Sequence, residues 1–221
     1  MKTTLIILFS ILTNFAFGNN PEGEMNLNTA AKVNYLSPTE KEIILEINRF
    51  RSNPAKYATD YIAPLTKQYK NKLLNYPGDD KTIRTREGVK AVYECLNELK
   101  KAIPQPIMYP SKTLTKSASD HQKDQAKTGD TGHTGSDNSD LKQRIERYGK
   151  WQVRIAENIA YGNSSARQVV IFLLIDDGVK SRGHRKNLLH PAYKTIGVSC
   201  GKHPVYDTMC VMDFGGGIKQ E

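Results

Sequence analysis

The chain has 221 residues, 38% hydrophobic and 25% charged, a globular composition with room for one sizeable core but not two. Its formal net charge is +9. The Lys and Arg residues are scattered among Asp and Glu, without a long basic run or aromatic interleaving, which argues against a nucleic-acid binder and for a solvated basic surface.

The first eighteen residues read as an export signal: Lys2, an apolar run from Leu5 to Leu12, and a small-x-small site at Ala16-Phe17-Gly18. That run is too short to span a bilayer, as is the longest apolar stretch elsewhere, Val169 to Ile175, so no stable membrane insertion is expected. The mature protein is expected to be secreted. Residues 19–36 read as a mobile polar leader ahead of a single domain over 37–221.

Ser37-Pro38-Thr39-Glu40 is a capping box, and Ile43, Ile44, Ile47 and Phe50 continue a helix that stops before Pro54. Residues 53–84 read as loop with short helical pieces, within a looser stretch over 53–105. Val89, Val92, Leu96 and Leu99 mark a second amphipathic helix. Ser111 caps a third, which carries His121 on its apolar stripe as a core histidine. Residues 129–139 form a Gly-, Ser- and Asp-rich loop, and Asp140 opens a short helix ending near Gly149. Val169 to Asp177 predicts a buried helix stopped by Gly178, and Thr195–Cys200 and Thr208–Phe214 predict strands. This order of elements implies α+β architecture, helices packed on a small antiparallel sheet.

Cys200 and Cys210 flank a turn-like segment between the two strand runs, and a disulfide is expected there. Cys95 is then the unpaired thiol, read as a small buried hydrophobe. Asn163-Ser164-Ser165 is a glycosylation sequon, relevant in a eukaryotic host.

Three segments carry side chains capable of chemistry. Gly132-His133-Thr134-Gly135 sets a histidine in a glycine-rich loop. Ala156-Glu157-Asn158-Ile159 places a carboxylate in an apolar segment. Asp176-Asp177-Gly178 and Ser181-Arg182-Gly183-His184-Arg185 set acids and an imidazole on either side of a bend. Imidazoles and carboxylates are the material of a metal site or an acid–base pair. Each also has a simpler reading, a histidine tying down a loop or an acid capping a helix.

These segments resemble the CAP/SCP superfamily (the cysteine-rich secretory, antigen-5 and pathogenesis-related family) in its secreted microbial form. Glu157-Asn158-Ile159 resembles the Gly-Glu-Asn signature, with Ala156 where Gly is usual. His133-Thr134-Gly135-Ser136-Asp137 resembles the loop preceding it. Ser181 to Leu189 is similar to the Ser-x-Gly-His-Arg-x-Asn-Leu stretch, and Asn48 with Arg51 to the Asn-x-x-Arg of the first helix. The resemblance implies an α-β-α sandwich with a cleft lined by His133, Glu157, Asp176 (or Asp177) and His184. It implies that His133 and His184 hold Zn²⁺ or another divalent metal loosely. It points to a binding module for a small hydrophobic ligand such as a lipid or sterol, or for a cell-surface partner, in a monomer or weak dimer. The alternative is metal-assisted hydrolysis through His133, Glu157 and His184.

Overall fold

A computed structural model of the chain describes residues 26–163 and 165–220. The expected signal at 1–18 and the middle residue of the Asn163 sequon lie outside them. Helix α1 spans Pro38–Ser52 and opens on the expected capping box. The Ser37 side chain accepts from the Glu40 N–H, and a Glu40 carboxylate oxygen accepts from the Ser37 N–H at 2.7 Å. Ile43, Ile44, Ile47 and Phe50 are fully buried along it. So are Asn48 and Arg51, the polar pair of the first-helix motif. Asn48 bonds the Leu27 carbonyl and both backbone groups of Met108. Arg51 donates to the carbonyls of Pro106, Leu188, His190 and Tyr193, and burial lowers its pKa to about 10. Both are staples between distant segments.

Two expectations need correction. The leader read as mobile is docked from Leu27 onward, with Ala30 and Leu36 buried and Thr29 bonded to the Met108 carbonyl. The segment 53–84 holds the expected short helical pieces and, beyond the expectation, three short strands. Helix α2 (Pro54–Tyr57) runs on through one π turn and a 3₁₀ turn to Gln68. Three two-residue strands follow, β1 (Tyr69–Lys70), β2 (Leu73–Leu74) and β3 (Ile83–Arg84), forming an antiparallel meander.

Helix α3 (Val89–Leu99) buries Val92, Leu96, Leu99 and the free Cys95, whose thiol is pushed up to about 12 by burial. Strand β4 (Tyr109–Pro110) leads into helix α4 (Lys112–Thr128), capped by Ser111 and closed by Gly129 in the left-handed conformation. Helix α5 is Leu141–Glu146 and ends earlier than expected, because strand β5 begins at Gly149 and runs to Tyr161. This strand has no counterpart in the expectations. Its alternation is broken by a bulge between Gln152 and Ile155, where Val153 takes φ +68° opposite Gly216.

Helix α6 (Ala166–Ile175) is capped by Ser165 and is buried along nearly its whole length. It stops at Asp176, which takes the left-handed cap conformation that Gly178 was expected to supply. Helix α7 (Gly183–Leu189) and strands β6 (Thr195–His203) and β7 (Asp207–Gln220) complete the chain, both strands longer than expected. The main sheet has the order β4-β6-β7-β5, with β4 parallel to β6 and the rest antiparallel. Cys200 and Cys210 are cross-strand partners and form the expected disulfide.

The sheet lies between two helical layers. Met209 and Val211 of β7 and Ile159 of β5 pack with Ala118 of α4 on one face. Cys210, Met212 and Phe214 point the other way, into the larger core shared with α1, α3 and α6. The expected α-β-α sandwich is therefore the observed architecture. At the crossing of α4 and β6, a Cβ on Gly197 would come within 2.1 Å of the Leu114–Thr115 backbone. Only glycine permits that approach.

Candidate functional site

Strand β5 is an outer strand, and its alternation sends Glu157 toward the α4 layer and Asn158 toward the α7 layer. One imidazole is attached on each side.

On the α4 side, the loop after Gly129 brings His133 over β5, and Nδ1 lies 2.8 Å from Glu157 Oε1. The other Glu157 oxygen accepts from buried Arg144 Nη2 at 2.7 Å. Arg144 Nη1 donates to the His133 and Ser139 carbonyls, so one guanidinium fixes both the carboxylate and the loop above it. Burial acts to raise the Glu157 pKa. The His133 hydrogen bond and the charges of Arg144 and His121 outweigh it, holding the carboxyl below its ordinary value. An ionised carboxylate only accepts, so Nδ1 of His133 carries the ring proton. The Nε2 lone pair is left without a bond from Glu157, on a side chain that is 58% exposed.

On the α7 side, the Asp176 carboxylate accepts from both the N–H and Nδ1 of His184, at 3.0 and 2.7 Å. Asp177 does something else: its oxygens accept the Arg86 and Glu87 N–H groups. The left-handed backbone at Asp176 turns its side chain back toward the following helix. Arg182, also left-handed at φ +51°, stands just before α7. Its guanidinium donates to Glu87, Glu94 and the Asp176 carbonyl. Two non-glycine residues in this region within seven positions mark a bend that its surroundings over-determine. Salt bridges hold it: Arg182 grips Glu87 and Glu94, and buried Arg185 grips Glu98. Glu87 falls to about 2 through its bonds with Arg182 and the Gly178 N–H.

Two asparagines link the halves. Asn158 Nδ2 donates to the His184 carbonyl at 3.1 Å. Asn187 Nδ2 donates to Asn158 Oδ1 at 2.9 Å and reaches the Glu157 carbonyl at 3.4 Å. The two His–carboxylate pairs are thus held on either side of Glu157–Asn158.

Other histidines have other duties. His121 is fully buried with Nε2 on the Gly132 carbonyl, and burial lowers its pKa. His190 contacts Arg154, and His203 bonds the Asp130 carbonyl. Ser136 Oγ donates to Asp124.

Arg144 and Asp213 were not among the expected site residues. Asp213 faces Glu157 in the cross-strand register and is fully buried, its carboxyl beside the Ser117 and Glu157 side chains. Burial, and then the nearby charge of Glu157, push its pKa well above the ordinary carboxylate range. An acid between Met212 and Phe214 on an inner strand was the available signal. For Arg144 the sequence holds none.

In both pairs Nδ1 is committed to a carboxylate, the arrangement that orients a metal-binding histidine. This donor chemistry fits a divalent cation. Among the described residues no group of three or more His, Cys, Asp or Glu side chains is placed to hold a metal. No helix among the described residues is long and apolar enough to cross a membrane.

The family model of the cysteine-rich secretory protein family matches residues 93–214, which contain His133, Glu157, Asp176 and His184. An extracellular SCP-domain protein of Bacillus anthracis is similar at 22% identity with a TM-score of 0.41, over 57% of this chain and 37% of its own. The chain thus spans little more than a third of that protein's length. An outer surface protein of Borrelia burgdorferi is similar at 23% identity with a TM-score of 0.42, over 60% of this chain and 92% of its own. No curated protein matches the sequence.

Proposed function

The chain belongs to the cysteine-rich secretory protein family, and from that premise we propose that it is an extracellular binding module whose cleft, formed by His133, Glu157, Asp176 and His184, loosely holds a divalent cation such as zinc. The observation that carries this reading is the matched state of the two imidazoles. Each Nδ1 rests on a carboxylate, leaving Nε2 as the donor on both rings. A bound cation would supply a Lewis-acidic anchor for an oxygen of the ligand, while His133 and His184 hold it and Glu157 and Asp176 fix their orientation. The ligand we infer is a small hydrophobic molecule with a polar head, of lipid or sterol type.

Binding is favoured over metal-assisted hydrolysis by the condition of Glu157. Both its oxygens are engaged, by His133 and Arg144, and its pKa is depressed, which makes it a poor general base. The test is calorimetric titration of zinc into the wild type and into the His133→Ala/His184→Ala double variant. Binding that vanishes in the variant supports a shared ion. Equal binding in both proteins, or none in the wild type, sinks the reading.

A further inference from the structure

We propose that the groove between the 129–136 loop and the β6–β7 hairpin tip is a carbohydrate subsite that takes a neutral pyranose, with Tyr206 as its stacking platform. The groove has a volume of about 460 Å³ and is lined by Asp130, Thr131, Thr134 and Ser136 on the loop side and by Val205 and Tyr206 on the hairpin side. Its composition is unusual for this molecule. A chain of net charge +9 has here a concavity with no cationic lining residue and one carboxylate. Anionic ligands are therefore poorly served. A lipid tail is poorly served too, because most of the lining groups are polar.

Val205 and Tyr206 are 67% and 45% exposed at the hairpin tip, and nothing in the fold requires apolar groups there. The Asp130 carboxylate and the Thr131 and Thr134 hydroxyls are exposed, and no hydrogen bond engages them among the described residues. An aromatic face beside free carboxylate and hydroxyl groups complements a sugar ring. The ring's C–H face stacks on the aromatic side chain while its hydroxyls donate to the carboxylate and exchange hydrogen bonds with the threonines.

The platform is also pre-organised. His203, buried beneath it, donates from Nε2 to the Asp130 carbonyl at 3.0 Å. Its Nδ1 accepts the Val205 and Tyr206 N–H groups at 3.2 and 3.3 Å. One histidine therefore ties both walls together. The Tyr206 ring rests against His203 and Tyr161, with centroids 5.2 and 5.3 Å apart. Tyr161 in turn accepts the Gly132 N–H and donates to Gln125. Rigid walls reduce the ordering cost of binding.

The test is titration of the secreted chain with chitotriose and, separately, cellotriose, followed by saturation-transfer NMR and calorimetry. The two arms distinguish an N-acetylated from a plain glucan source. Binding of either in the millimolar range or tighter, unaffected by EDTA, is expected. Tyr206→Ala should weaken it about tenfold or more, and Tyr206→Phe should retain it. Asp130→Ala, on the exposed rim and harmless to the fold, should weaken it several-fold. Absence of binding by both sugars at about 10 mM, where a millimolar site would be nearly saturated, would overturn the proposal. So would unchanged affinity in both Tyr206→Ala and Asp130→Ala.

Discussion

Glu157 and Asp213 face each other on adjacent strands, one carboxylate bonded to the half-exposed His133 and the other fully buried. The pair divides its protonation unequally. Glu157 has His133 and Arg144 to hold its charge, whereas Asp213 has burial and a negative neighbour against its own. Two carboxyls so placed do not both ionise readily, and the inner one keeps its proton.

Asp213 thereby predicts a pH dependence. Its folded pKa lies above the unfolded value of about 4, so its contribution to stability is complete below that pH and is lost as pH rises through the folded pKa. Asp213→Asn removes this titration. Urea-denaturation midpoints of the wild type should fall relative to the variant as pH rises from 4 toward 8. Parallel curves would refute the assignment.

Arg144 pairs with Glu157 where both side chains are nearly inaccessible to water. Arg144→Met leaves the buried Glu157 carboxylate without its cation, held by His133 alone, and should cost about 3–5 kcal/mol. The 133–139 backbone also loses its two guanidinium bonds. Amide exchange in that loop should rise along with the loss of stability, and unchanged protection would count against Arg144 as its clamp.

Asp176 orients His184 from a left-handed backbone position, a conformation asparagine also tolerates. Asp176→Asn should therefore fold normally yet weaken zinc binding by about 10–100-fold. Calorimetry on the variant reads this directly. Asp177→Asn, which leaves the His184 contact intact, should have much less effect.

Gly197→Ala should destabilise the fold by about 3 kcal/mol or more, since strand and helix must separate to admit the methyl group. The thermal midpoint is the measurement, and a shift of less than a degree would contradict the close approach.

Reduction of Cys200–Cys210 should lower stability by about 2–3 kcal/mol through the released loop entropy of the hairpin. Denaturation with and without reductant tests this, Cys95 being buried in both states.

How far the sequence could be read depended on how local each determinant is. The Ser37–Glu40 cap, the apolar body of α6 and the Cys200–Cys210 hairpin are set by neighbours in the chain, and each was legible. Strand β5 was not, because Lys150, Arg154 and Glu157 interrupt its apolar pattern and the bulge at Val153 breaks its period of two. Gly178 offered a familiar helix stop and hid the role of Asp176 as the cap. His133, Glu157, Asp176 and His184 could be singled out from their motifs, but the pairing of each imidazole with its carboxylate is a tertiary fact. Arg144 is a charged residue on a short helix, and nothing local separates it from an exposed one. Its burial comes from the loop and strand that close over it.

The bulge in β5 also bears on how copies of this chain meet. An outer strand is a template on which a second molecule could extend the sheet. Toward its end β5 is covered by Asn187 bonding the Glu157 carbonyl. Toward its start the displaced Val153, 77% exposed and with its backbone turned out of register, breaks the row of groups such a neighbour would need. Strain at one residue thus guards an outer strand against edge-to-edge aggregation.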